Sequence, residues 1–71
     1  MDALEVFARN LRTAREERGL TQERLAELAD LHMTDVSRIE RAERDPGVRT
    51  AAKLATGLGV PLGDLFRDVQ P

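Results

Sequence analysis

The sequence predicts an all-α domain, a compact bundle of five helices, and three observations carry that expectation. Apolar residues recur at helical spacing in every periodic segment. No apolar/polar alternation lasts long enough to make a strand. The only aromatics are Phe7 and Phe66, so strand-forming rings are scarce.

Helix one is expected from about Asp2 to Arg18, with Leu4, Phe7, Ala8, Leu11 and Ala14 as its apolar stripe. Asp2 and Glu5 favour its N-terminus through the helix dipole, and Gly19 supplies a left-handed end. Thr21 has the chemistry of an N-cap for helix two. The third helical position is Arg24 rather than Glu or Gln, so a full capping box is absent and Glu23 compensates through the dipole. Leu25, Ala26, Leu28 and Ala29 form the expected buried face of this helix.

The helical pattern breaks over Asp30-Leu31-His32, where aspartate tolerates positive φ better than most residues. Helix three is expected from Met33 to Arg41 or Ala42, with Val36 and Ile39 inward. The polar "RAERDPG" segment is a loop broken by Pro46 and Gly47. Helix four starts near Val48, turns Ala51, Leu54, Ala55 and Leu58 inward, and is closed by Gly59. Val60-Pro61 leads into a short helix five from Leu62 to Phe66. One domain over residues 1–66 is expected, with residues 67–71 a frayed tail.

Composition narrows the function classes. The 71-residue chain holds no cysteine and one histidine, so neither a disulfide scaffold nor a thiolate or histidine metal centre is expected. No cofactor is expected. No apolar run is long enough to span a membrane, and "MDALEVF" lacks the basic and apolar regions of a signal peptide, which points to a soluble, cytoplasmic protein. No nucleophile–base pair or glycine-rich phosphate loop suggests an enzyme. The formal net charge of −2, from 11 basic and 13 acidic residues, runs against the basic balance usual for nucleic-acid binding. Ten of the eleven basic residues are arginine. That choice suits planar contacts to phosphate or guanine; a GC-rich genome would produce the same bias.

Two short helices joined by a turn of about three residues, the second with polar side chains outward, make a helix-turn-helix arrangement. In that arrangement the second helix enters the major groove of DNA. The segments "LTQERLAELA", "VSRIERAERDP" and "LGVPLGDLF" occur in an order and spacing that closely resembles the lambda-repressor/Cro-like helix-turn-helix family of bacterial and phage regulators. The resemblance runs from Leu11 to Phe66, and it is shared with restriction–modification controller proteins and with small antitoxins. It implies a homodimeric, sequence-specific regulator on a pseudo-palindromic operator of double-stranded DNA, with the recognition helix at residues 33–42 in the major groove. No small-molecule ligand is evident. The family usually carries glycine where Asp30 stands, serine or threonine where His32 stands, and often glycine where Ala42 stands. With His32 a poor cap, Asp35 is expected to reach back to the free N–H groups of the first turn.

Met33, Thr34, Ser37 and Arg38 are the candidate base contacts, and bidentate pairing of Arg38 with guanine is the contact of greatest reading power. Gln22, His32, Arg41, Arg44 and Arg49 are the candidate backbone contacts; the resemblance implies that Gln22 and the start of helix two hold a phosphate. Asp35 could accept from cytosine, but stabilising its own helix is the favoured role, because a carboxylate near phosphates costs affinity unless neutralised. The matching positions in similar proteins make Arg15 and Glu40 a structural ion pair between helices one and three. Val60, Leu62, Leu65 and Phe66 are the candidate dimer surface, with core packing the default for Leu65 and Phe66 and Leu62 the stronger interface candidate. A helical protein-interaction module that keeps the fold is the competing reading, and the acidic balance favours it.

Overall fold

The computed structural model covers Met1–Pro71 and contains five helices: α1 (Ala3–Glu17), α2 (Gln22–Ala29), α3 (Met33–Glu40), α4 (Gly47–Leu58) and α5 (Leu62–Leu65). Each helix sends at least one large side chain to a shared core. Leu11 of α1, Leu25 of α2, Val36 and Ile39 of α3, Leu54 of α4 and Leu65 of α5 are all fully buried. Burial of a side chain this size stabilises by about 1.5–3 kcal/mol, so the core holds the helices together where propensity alone would not. α2 packs on α3 and α4, α1 on α3 and α5, and α5 also on α4. No helix is long and apolar enough to cross a membrane.

Helix starts follow local chemistry. Asp2 and Glu5 form a reciprocal capping box at α1, Glu5 N–H donating to Asp2 Oδ1 at 2.8 Å and Asp2 N–H to Glu5 Oε1 at 3.2 Å. Thr21 Oγ1 accepts from the Arg24 N–H at 3.0 Å and caps α2. α4 begins at Gly47, one residue before the sequence expectation, because the Asp45 carboxylate accepts the Gly47 N–H at 3.0 Å.

Four helix ends share one device. Each closes with a residue in the left-handed region and a paired set of reversed hydrogen bonds: Gly19 (φ 65°) after α1, Asp30 (φ 56°) after α2, Ala42 (φ 56°) after α3 and Gly59 (φ 74°) after α4. The following residue's N–H reaches back five positions, as Leu20 to Arg15 O, Leu31 to Ala26 O, Glu43 to Arg38 O and Val60 to Ala55 O. Leu20, Leu31 and Val60 then pack against the core, sealing three of the ends with an apolar contact. The end of α3 has Glu43 in that place and stays polar.

Several expectations are corrected by the packing. Leu28, expected to be buried, is 42% exposed: it lies two residues past Ala26, on the opposite side of α2, beyond the stripe covered by α3 and α4. Leu65, a candidate for the dimer surface, is fully buried and cannot reach a partner. The segment expected to fray, residues 67–71, makes contacts with the helices. Asn10 Nδ2 donates to Leu65 O at 3.0 Å and Arg67 O at 2.8 Å, and half-buried Val69 packs on the core. Gly57, inside α4, had no assigned role. A Cβ there would lie 3.1 Å from Ala29 Cβ and 3.1 Å from Ala29 N, so its bare backbone lets α2 seat directly against α4.

Ala42 holds a backbone conformation that costs an L-residue about 1–2 kcal/mol and glycine almost nothing. Ala42→Gly is therefore expected to stabilise the fold by about 0.5–1 kcal/mol after the added entropy of the unfolded chain is subtracted. Thermal and urea unfolding measure the gain; an unchanged or lowered midpoint contradicts it.

Candidate nucleic-acid interface

α3 has eight residues and must be held by its neighbours. Its inner side is set by Val36 and Ile39, and its last residue, Glu40, is 3% exposed and is the only buried charged residue. The Glu40 carboxylate accepts from Arg15 Nε at 2.6 Å, from a second Arg15 nitrogen at 3.0 Å and from Gln22 Nε2 at 3.2 Å. Both carboxylate oxygens are thus occupied. The hydrogen bonds and charge of Glu40 push the Arg15 guanidinium further above its ordinary range, outweighing the opposing effect of burial.

Arg12 of α1 and Arg18, the residue that caps its C-terminus, add to this anchor. Arg12 donates to Glu40 O at 3.1 Å and Arg18 Nε to Leu58 O at 2.9 Å, so they satisfy free carbonyls at the ends of α3 and α4. Arg15 also donates to Leu20 O at 2.7 Å. Arg12 and Arg18 had no role assigned from the sequence; their spacing of three residues on either side of Arg15 is the signal that could have found them.

The outward side of α3 carries the candidate base contacts. Met33 is 49% exposed although apolar, Thr34 and Arg38 are exposed, and Ser37 is half-buried with its Oγ accepting from Arg41 at 2.6 Å. The carboxylates near Arg38 are engaged by other arginines. Arg44 donates to Asp35 Oδ1 at 2.5 Å, and Arg41 grips both oxygens of Glu43 at 3.1 Å each. The Arg38 guanidinium is left exposed beside them.

The candidate backbone contacts divide. His32 is exposed and caps α3 without a side-chain bond, and Arg49 is exposed in the first turn of α4. Gln22, Arg41 and Arg44 are instead engaged with Glu40, Glu43 and Asp35. Asp35 does not reach back to the first turn of α3: its one hydrogen-bonded oxygen accepts from Arg44. The loop after Ala42 folds back alongside α3, and a guanidinium there outcompetes the weaker amide donors.

A short second helix, bonded at its root and carrying exposed polar and apolar side chains past a tight turn, defines a helix-turn-helix DNA-binding protein. The family described as helix-turn-helix, HTH_3, matches residues 11–65. The chain belongs to this family of DNA-binding transcriptional regulators. Among its relatives, the control protein C.SmaI of Serratia marcescens is 38% identical over 66 residues, spanning 93% of this chain and 79% of that protein. The control protein C.MunI of a Mycoplasma species is 35% identical over 65 residues, spanning 90% and 88% of the two chains. The crystal structure of the restriction-modification controller protein C.AhdI from Aeromonas hydrophila superposes with a TM-score of 0.86 at 38% identity, covering 89% of this chain and 96% of that one.

Two measurements check the electrostatics. Removing one partner of the buried pair, by Arg15→Ala or Glu40→Ala, is expected to destabilise by about 3–5 kcal/mol, because the remaining charge stays in a site built for two; a loss under about 1 kcal/mol in urea unfolding contradicts that. Hydrogen bonds from Arg41, reinforced by the charges of Arg41 and Arg38, hold the Glu43 carboxyl below its ordinary range. The contribution of a depressed carboxyl to stability is present above the unfolded-state value and lost as pH falls through the lowered one. NMR titration is expected to place the Glu43 carboxyl below the ordinary glutamate range, and Arg41→Ala to return it to that range.

Proposed function

We propose that this protein acts as a homodimer that occupies a pseudo-palindromic operator, with α3 of each subunit in the major groove. The observation that supports this most directly is the exposed set Met33, Thr34 and Arg38 on a helix whose opposite side is locked into the core. Arg38 pairs with guanine through two donors, the Met33 side chain meets a thymine methyl, and the Thr34 and Ser37 hydroxyls serve bases or nearby phosphates. Arg49, His32 and the start of α2 at Gln22 hold phosphates on either side. Arg41 joins them by exchanging Glu43 for the DNA backbone. Such contacts fix register without reading sequence.

One short helix reads few base pairs, and a net charge of −2 adds no general attraction for DNA. A two-fold pair supplies both affinity and specificity, with half-sites about 34 Å apart. Half-buried Val60 and Leu62 and partly exposed Phe66 form the proposed dimer surface. Phe66 rests on Phe7 with ring centroids 5.0 Å apart, and its outer side opens into an apolar groove with Leu4, Val48 and Val69. Val48 is 78% exposed, so this patch extends the proposed surface. Control then follows from protein concentration and acts in the bacterial cytoplasm where the operator resides.

Selection of bound duplexes from a random pool tests the proposal. A two-fold symmetric consensus is expected, with affinity falling steeply as salt rises. Arg38→Ala is expected to lose about 5- to 150-fold of preference at one base pair per half-site, the worth of a bidentate contact. Failure to bind any duplex at low salt points instead to a protein-interaction module.

A further inference from the structure

The ion pair between Asp35 and Arg44 stands apart from the others at this surface. Its side chains are 29% and 35% exposed, so it is partly shielded, yet it sits in the first turn of the helix that faces DNA. A free carboxylate there would be repelled by phosphate at any sequence. Asp35 lies one turn before Arg38 on α3, at the flank of the outward side. The left-handed turn at Ala42, with Glu43 N–H bonded to Arg38 O at 2.9 Å, folds the following loop back along α3 and brings Arg44 to Asp35. Arg44 bonds one carboxylate oxygen, Oδ1, and the second oxygen keeps its full accepting capacity.

We propose that Asp35 is a specificity-determining residue that accepts from a cytosine amine in the major groove, and that Arg44 is its positioning residue rather than an independent phosphate contact. Cytosine offers N4 donors with no acceptor beside them on that edge, whereas adenine sets the acceptor N7 next to its N6 amine and so opposes a carboxylate. Arg44 fixes the rotamer of Asp35 and offsets its charge, so the carboxylate meets the base without the general repulsion of an unpaired acid. This inference rests on the DNA-binding reading of α3.

The test combines duplex selection with a double-mutant cycle on the selected duplex, using Asp35→Asn, Arg44→Ala and the double variant, each first checked for wild-type helicity. Asp35→Asn is expected to exchange one cytosine per half-site for adenine, since an amide matches N6 and N7 together. Arg44→Ala is expected to weaken binding about tenfold in the wild-type background and less than about twofold beside Asp35→Asn. An unchanged consensus in Asp35→Asn overturns the base-reading role. An equal loss from Arg44→Ala in both backgrounds makes Arg44 a phosphate contact and overturns the positioning role. A wild-type protein that selects no duplex overturns the DNA-binding reading itself, a result distinct from either.

Discussion

The geometry of the exposed surface of α3 depends on the buried contact between Arg15 and Glu40. Eight residues cannot hold a helix in water, and α3 has no side-chain cap at its start. Its direction is set by two apolar residues and by a carboxylate whose hydrogen-bond capacity is shared between a guanidinium from α1 and an amide from α2. A hydrophobic pair of the same volume would bury as well and can be the more stable choice. The ionic version adds direction: a planar fork meeting a planar carboxylate defines an angle, and that angle fixes how α3 leaves the core.

This arrangement also accounts for the acidic balance of a DNA-binding chain. Arg12, Arg15 and Arg18 work on carbonyls and on Glu40. Arg41 and Arg44 are matched by carboxylates. The basic residues are largely spent on internal organisation, and Arg38 stands out because neighbouring acids already have partners. Charge distribution, rather than net charge, bears on how such a surface meets a polyanion.

The five helices and their inner residues were legible because apolar spacing repeats in each segment and Gly19, Asp30 and Gly59 mark their ends. Thr21 and the Arg15–Glu40 pair were legible too, the latter through resemblance. What escaped the sequence depends on contacts between distant segments. Leu28 has the right residue type but falls outside the covered stripe, and Leu65 has an exposed neighbour at Phe66 while being buried itself. Asp35 has two chemically reasonable roles at a helix start, and only the return of the chain after Ala42 decides that Arg44 takes it. The engagement of Gln22 with Glu40 is likewise a product of α2 crossing α3. The role of Gly57 required knowing that Ala29 lies opposite.

The two ends of α3 are treated very differently. Arg12 and Arg15 grip its final residue, whereas His32 gives its first turn no side-chain bond. The element is gripped hardest at its last residue, while its first two residues, ahead of the Asp35–Arg44 contact, form a loosely held tip. Local opening at such a tip costs less than at the root. The amide protons of Met33 and Thr34, which have no backbone acceptor at the start of α3, should exchange with solvent sooner than that of Glu40. The hold on α3 thus tightens from its first two residues to its last.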